Sequence, residues 1–195
     1  MSAIGDNETV AREAVDRLVR SGFYSADEIV EYINEELFWN NEIELGWLHF
    51  EIARAFQRKV EDEKSWPEVT DCDRLDAVFD ELEADNILSV QNAGYTQQNA
   101  IDDVAQYSRE AGGEESDYEG FCFYHGQDLE RVIDGGELAI GFGDVDGDDA
   151  KGEEIGRRIK SFFEVAGFEV DWNGSIQTRL SVKGIHWQRR FRPEG

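Results

Sequence analysis

The chain contains few cysteine and proline residues, and both shortages exclude classes of protein. Its 195 residues include 2 cysteines and 2 prolines. Cys72 and Cys122 lie far apart in apolar surroundings, which excludes a disulfide framework and offers no zinc-binding spacing. Pro67 and Pro193 are too isolated to form a proline-rich linker. A reducing compartment suits both thiols.

Long apolar runs are absent as well. No stretch approaches the roughly 18–20 apolar residues that a transmembrane helix needs. The first residues also lack the basic and apolar regions of a signal peptide. Because hydrophobic residues still make up 40% of the chain and aromatic residues 12%, the sequence predicts a globular protein with a real core. We expect it to be cytoplasmic and to bind no membrane.

Basic residues are scarce relative to acidic ones. The chain has 19 lysine and arginine residues against 44 aspartate and glutamate residues, a formal net charge of −25. A field of this sign repels nucleic acid, so we expect no nucleic-acid partner. Two explanations stay open: adaptation of the surface to salt, or an acidic surface that binds a partner with a basic surface.

The C-terminal end departs from this acidity, because basic residues outnumber acidic ones after Asn173. Aromatic and arginine side chains dominate binding hot spots, so Trp187, Arg189 and Arg190 are candidates for an interaction site, with Arg192 beside them. The alternative is that this basic segment docks on the acidic helices of its own chain.

Apolar residues recur at helical spacing in the first half of the chain. Ser25 and Glu28 form a capping-box pattern at the start of one helix. Leu75, Val78 and Leu82 mark the apolar face of another. Further apolar faces are predicted on helices that contain Val10–Leu18, Ile29–Leu37 and Leu48–Phe56.

After Asn86 the pattern changes to short strands and helices. The sequence predicts strands at 87–91, 121–124 and 137–142, and helices that start near Asn99 and Gln127 and span 155–166. Phe168–Trp172 and Ile176–Val182 alternate around Asn173-Gly174, which predicts a type I′ hairpin. A last strand is predicted at 185–191.

These patterns together predict an α+β fold. Residues 1–90 form a helical N-terminal region, and residues 91–195 form a mixed, largely antiparallel sheet with helices packed on it. Because no linker separates the two regions, one shared core is also compatible with the pattern. The order of helices before the first strand is similar to a winged helix, but its recognition helix, at 71–76, is acidic where DNA phosphates would lie.

Polar side chains follow the predicted strand at 121–124. His125 lies at the end of this strand and Asp128 in the first turn of the next helix. His125 is a candidate general base, with Asp128 or Gln127 orienting it and Tyr124 and Arg131 nearby. Structural roles compete with this hypothesis, because Asp128 suits a helix start and His125 can be a buried hydrogen-bonding group.

Other chemical motifs are weak. Cys122 lies between two phenylalanines, so we interpret it as core and not as a nucleophile. The acidic run at 144–149 fails the calcium-loop pattern, because the positions that require glycine and glutamate hold Asp149 and Ile155. No metal-binding spacing and no cofactor-binding motif is present, so we predict neither.

Four segments carry a resemblance to a family: Gln91–Gln97 (QNAGYTQ), Phe123–Asp128 (FYHGQD), Gly136–Gly143 (GELAIGFG) and Trp187–Arg190 (WQRR). With the Asp-Trp-Asn-Gly sequence at 171–174, they resemble an uncharacterised bacterial domain family of unknown function. The resemblance implies no activity, substrate or cofactor. It does imply that His125, Gln127 and Asp128 act as one unit, with Tyr95 and Gln97 as neighbours.

Two functional hypotheses follow. The first is a non-enzymatic, acidic binding protein whose partner has a basic surface. The second is a small enzyme or ligand-binding domain with its site around His125, Gln127 and Asp128. A pocket where His125, Asp128 and Arg131 converge would favour the second hypothesis. A buried and fully hydrogen-bonded His125 would count against it.

Overall fold

A computed structural model of the chain describes residues 3–38, 43–110, 112 and 117–191. The chain divides into two compact units, which are treated separately below. Unit 1 comprises Met1–Thr70 and Trp187–Gly195, and unit 2 comprises Asp71–His186. None of the described helices is both long and apolar enough to cross a membrane.

Unit 1 is helical. It contains α1 (Ala3–Ser21), α2 (Ala26–Tyr32), which continues into a π-helical turn at Ile33–Leu37, and α3 (Leu45–Glu63). The predicted capping box is confirmed, because the Glu28 backbone N–H donates to Ser25 Oγ and the Glu28 carboxylate accepts from the Ser25 backbone N–H.

The core of unit 1 lies between these helices. Its fully buried members are spaced three or four residues apart, as expected for one apolar face on each helix. They include Val15, Ile29, Ile33, Leu48 and Ile52.

Unit 2 contains the sheet. Its elements are α4 (Asp71–Ala84), β1 (Ile87–Val90), α5 (Gln97–Glu110), β2 (Gly120–Phe123), α6 (Gly126–Ile133), β3 (Leu138–Asp144), α7 (Asp149–Val165), β4 (Glu169–Asp171) and β5 (Leu180–Lys183). The strand order is β1-β2-β3-β5-β4. Among the strands that the structure describes, only the β1–β2 pair is parallel, so the α+β prediction with a mixed, largely antiparallel sheet is confirmed.

The two faces of β2 pack against different helices because side chains alternate along a strand. Phe123 joins an apolar cluster with Ala100 and Val104 of α5. Beyond the end of β2, Tyr124 points the other way, and its ring meets Phe79 of α4 edge-on, with a centroid distance of 5.7 Å.

The boundary predicted at residue 90 lies inside unit 2. Residues 71–90 form α4 and β1, which pack on each other, and α4 also packs on α7. The winged-helix arrangement is not confirmed, because α4, its predicted recognition helix, is a core helix of the sheet-containing unit.

The predicted type I′ hairpin at Asn173-Gly174 is wrong. β4 and β5 do pair antiparallel, but residues 172–179 form a longer loop between them. A type I′ turn needs positive φ at both central residues, and of this pair only Gly174 has it, at +85°. The Asn173 side chain instead accepts from the Ser175 backbone N–H at 3.0 Å, a local bond that competes with strand pairing.

The strand predicted at 185–191 is also wrong. The described residues there have no strand assignment. Trp187, Arg189 and Arg190 contact other residues of unit 1 through their side chains, as described below.

Candidate functional site

The junction between β2 and α6 holds the polar residues that the sequence singled out. His125 is the N-cap of α6, with extended backbone at φ −109° and ψ 173°. The backbone N–H of Gly126 donates to Gly94 O at 2.9 Å, and that of Gln127 donates to Tyr95 O at 3.2 Å. A Cβ atom at Gly126 would lie 2.9 Å from Tyr95 Cδ2, so glycine is required for this close approach.

Asp128 is the centre of a buried ionic cluster. Its side chain has no exposed surface. Arg131 Nη1 donates to its Oδ1 at 3.0 Å, and Arg179 donates to Oδ1 through Nη1 at 3.1 Å and to Oδ2 through Nη2. Two guanidinium groups therefore compensate the cost of burying this carboxylate.

His125 completes the cluster, and its neighbours define its tautomer. Nε2 lies 3.2 Å from Arg179 Nη1. Because a guanidinium group can only donate, Nε2 must accept and the ring proton must be on Nδ1. Nδ1 lies 3.1 Å from Asp128 Oδ2, whose negative charge favours a proton at that ring position. The Asp128 backbone N–H, 3.4 Å from Nδ1, donates instead to His125 O at 2.9 Å.

The same surroundings disfavour the charged form of the imidazole. His125 is only 4% exposed. Burial lowers the pKa of His125 below its ordinary value, and the charges of Arg179 and Arg131 lower it further, against the opposing effect of Asp128. A general base needs a lone pair that reaches a substrate. Here the one lone pair of the ring points at Arg179.

Arg179 was not predicted as a site residue. It lies just before β5, and its Nη2 also donates to Ala139 O on β3. No sequence spacing relates it to Asp128, because the pairing of β3 with β5 brings the two together. The sequence carries no signal for this role, because Arg179 occupies an ordinary polar position of the alternating pattern, like Gln177, Ser181 and Lys183.

Tyr124 and Cys122 are buried away from this cluster. The Tyr124 hydroxyl donates to Gln91 Oε1 at 2.9 Å, and Gln91 Nε2 donates to Asp76 Oδ1 at 2.9 Å. Burial raises the pKa of the Cys122 thiol to about 12. A thiol in this state is a poor nucleophile.

The other candidates lie at the surface of the same junction. Arg131, Gln127, Gln97 and Tyr95 are exposed. The Tyr95 hydroxyl donates to Glu130 Oε2 at 3.3 Å. The structure thus brings Tyr95 next to α6. The described contacts do not join the side chains of Gln127 and Gln97 to each other or to the Asp128 cluster.

A family model described as a domain of unknown function (DUF6891) matches residues 5–191. The chain belongs to this family. The match extends across both units. No curated protein and no solved structure matches the chain.

The acidic run at 144–149 begins at the last residue of β3, Asp144, which stabilises the turn that follows. Asp144 Oδ2 accepts the backbone N–H groups of Asp146 at 2.9 Å and Asp148 at 3.0 Å. Asp148 then caps α7 through the backbone N–H of Ala150. Within the described ranges, no group of three or more histidine, cysteine, aspartate or glutamate residues could hold a metal ion.

Trp187, Arg189 and Arg190 belong to unit 1 and contact its N-terminal part, Met1–Thr70. Trp187 Nε1 donates to Ser21 O at 3.1 Å, near the end of α1. The Arg189 guanidinium lies 4.1 Å from the centroid of the Phe23 ring. Arg190 Nη2 donates to Pro67 O at 2.9 Å. Arg192 lies outside the described residues.

Proposed function

We propose that the protein is a non-enzymatic binding protein whose acidic unit 2 engages a partner with a basic surface. One observation carries the proposal: eight of the nine basic residues of unit 2 form ion pairs with described carboxylates of the same unit. Because unit 2 has 27 acidic residues, a net charge of −18 is left.

Much of this surplus lies at the surface. The acidic side chains Asp80 and Glu81 of α4 and Glu154 of α7 are exposed. An exposed surface of one sign raises the association rate with an oppositely charged partner and makes binding sensitive to salt. These properties support a role in binding a basic protein.

The geometry of His125 supports this function over a small enzyme. The ring is buried, Nδ1 lies 3.1 Å from the Asp128 carboxylate, and Nε2 lies 3.2 Å from the Arg179 guanidinium, from which it accepts. Proton transfer to a substrate would require this network to open. We therefore assign His125, Asp128 and Arg179 a structural role that joins α6 to the sheet.

The proposal is tested by titrating the protein with a short polylysine peptide in low salt and in roughly 0.5 M NaCl, where the Debye length falls below about 8 Å. The unit 2 variant carries Asp80→Asn, Glu81→Gln and Glu154→Gln. The matched unit 1 variant carries Glu13→Gln, Glu31→Gln and Glu35→Gln, three exposed residues.

We expect binding in low salt that weakens by about tenfold or more in high salt. The unit 2 variant should bind several-fold more weakly than the wild type, and the unit 1 variant should lose less. Equal losses in both variants would indicate that the acidity is a general adaptation to salt. That result, or an affinity for polylysine that is the same in low and high salt, would contradict the proposal.

A further inference from the structure

The loop at 172–179 contains the one Asn-Gly sequence of the chain, Asn173-Gly174. The backbone nitrogen that follows an asparagine can attack the side-chain amide, because the resulting five-membered ring brings the two groups together within one molecule. A glycine at the following position has no Cβ to hinder this attack. Asn173 is therefore the asparagine whose local sequence most favours loss of its amide group.

The surface position of the pair gives this reaction the room and the solvent that it needs. Asn173 is exposed. Gly174 has φ +85°, and no described atom lies within 4 Å of its Cβ position. Water and a solvent base can thus reach the Gly174 backbone N–H, and the loop leaves space for the ring.

Two donors meet at the side-chain oxygen of Asn173. The Ser175 backbone N–H donates to Oδ1 at 3.0 Å, and the Thr178 hydroxyl lies 2.6 Å from the same atom. Because an amide nitrogen cannot accept, the bond from Ser175 N–H identifies this atom as the oxygen. Thr178 Oγ1 also lies 3.1 Å from Ser175 O, but its single proton goes to the closer acceptor, Oδ1.

The reaction of the Asn173 amide consumes only water. Gly174 N–H gives its proton to a solvent base, and the nitrogen forms a bond to Asn173 Cγ while the carbonyl electron pair moves to Oδ1. The pair returns as the bond from Cγ to Nδ2 breaks, and Nδ2 takes a proton from water and leaves as ammonia. Water then opens the ring at Cγ, which leaves an aspartyl residue, or at the backbone carbonyl carbon, which leaves an isoaspartyl residue.

The two donors lie where negative charge develops in the first step. Oδ1 is a neutral carbonyl oxygen before the attack and carries the charge after it. Donors that are already in place at such an oxygen stabilise the transition state more than the ground state. The bond from Ser175 N–H also folds the asparagine side chain back along its own backbone as an Asx turn.

We propose that Asn173 is a site of spontaneous deamidation, and that the folded loop accelerates the reaction through the Ser175 backbone N–H and the Thr178 hydroxyl. The reaction adds a carboxylate to the loop that leads to Arg179. The site is confined to unit 2 and does not rest on the binding function proposed above.

The test compares the rate of deamidation in the folded chain, in mildly alkaline buffer, with that of the same chain unfolded in urea. Trypsin releases residues 161–179, a peptide whose one asparagine is Asn173. Mass spectrometry detects the replacement of NH₂ by OH, and digestion in heavy-oxygen water marks any deamidation that occurs during the digestion. We expect the folded chain to react at least about threefold faster than the unfolded chain. Asn86 and Asn92, which no glycine follows, should stay unmodified in the folded chain as internal controls.

Two substitutions test the hydroxyl. Thr178→Val removes the donor and keeps the size of the side chain, so the folded variant should deamidate about threefold to tenfold more slowly than the wild type. Thr178→Ser is the matched control, because it retains the hydroxyl, and its rate should stay within about twofold of the wild type. Circular dichroism shows whether each variant is folded.

Two results would overturn the proposal. The first is a folded wild type that deamidates no faster than the unfolded chain, in which case the bonds to Oδ1 only fix the loop. The second is a folded Thr178→Val variant that reacts as fast as the wild type. If Thr178→Val does not fold, the comparison of folded and unfolded wild type decides alone.

Discussion

The two units differ in charge because of their basic residues, not their acidic ones. Unit 1 has 17 acidic and 10 basic residues among 79, and unit 2 has 27 acidic and 9 basic among 116. Acidic residues are thus nearly equally frequent in both. The net charges of −7 and −18 show that unit 2 is strongly acidic because it has few basic residues, and most of these are paired internally.

The units also bury charge differently. In unit 1, Glu51 of α3 accepts from Arg12 and Arg54, both at 3.1 Å, so its buried carboxylate joins helix to helix. In unit 2, Asp128 joins a helix to the strand region through Arg179, and the cluster includes His125, whose pKa is lowered mainly by burial. In unit 2, the polar motif at the start of α6 thus includes a buried carboxylate that joins this helix to the strand region.

The largest effect is expected for Asp128→Ala, which tests how much the Asp128 ion pairs stabilise unit 2. Asp128→Ala leaves the Arg179 guanidinium without its carboxylate, so we expect the free energy of unfolding to fall by about 3–5 kcal/mol. Urea denaturation measures the change. Asp80→Asn, an exposed substitution in the same unit, should change it by less than about 0.5 kcal/mol. If Asp128→Ala lowers the free energy of unfolding as little as the control does, the Asp128 cluster does not stabilise unit 2 as proposed.

Substitutions of buried leucines by alanine compare the hydrophobic cores of the two units without altering any charge. Leu48 in unit 1 and Leu180 in unit 2 are both fully buried. We expect Leu48→Ala and Leu180→Ala each to cost about 2–5 kcal/mol. Denaturation monitored by circular dichroism gives both values. A negligible cost for either leucine would show that its unit is not a packed core.

The sequence was a good guide wherever structure is local. The capping box at Ser25 and the apolar face of α4 follow from residues three or four positions apart, and the structure has both. The strand predicted at 121–124 is present at Gly120–Phe123, and the helix predicted to start near Gln127 begins at Gly126.

Sequence reasoning failed where distant residues decide the structure. Arg179 meets Asp128 across 51 positions through strand pairing, which no spacing reveals. The loop at 172–179 replaced a predicted tight turn because Asn173 and Trp172 bond to the loop backbone. The strand predicted at 185–191 does not form there, because Trp187 instead donates to the C-terminal end of α1 at Ser21 O.

A substitution with a smaller expected effect tests the contact between Gly22 and Arg189, both in unit 1. Gly22 has φ +79°, and a Cβ atom there would lie 2.7 Å from Arg189 O. Gly22→Ala should therefore cost about 1–3 kcal/mol through backbone strain and displacement of this segment. Thermal denaturation reports the loss. Gly174→Ala is the control for strain alone, since its φ is +85° and nothing lies near its Cβ position. An equal cost in both would show that the contact with Arg189 adds nothing.

The smallest effect is a pH dependence specific to unit 2. Because the pKa of His125 is lowered in the folded state, the unfolded chain binds more protons below about pH 6.5. The free energy of unfolding should fall as the pH drops below that value, by at most about 1.4 kcal/mol per pH unit from this residue. His125→Gln should lose this slope between about pH 5.5 and 7. His49→Gln, which keeps His125, should retain it, and a slope unchanged in His125→Gln would contradict the assignment.

The central claim is that the polar cluster at the start of α6 is structural and that its histidine has no free lone pair. Long-range proton–nitrogen NMR correlation of the His125 ring tests it most directly. We predict a neutral ring at pH 6.5, with the proton on Nδ1 and an unprotonated Nε2 bonded to Arg179. A ring protonated on Nε2, or one already cationic at that pH, would contradict the account and restore His125 as a candidate for catalysis.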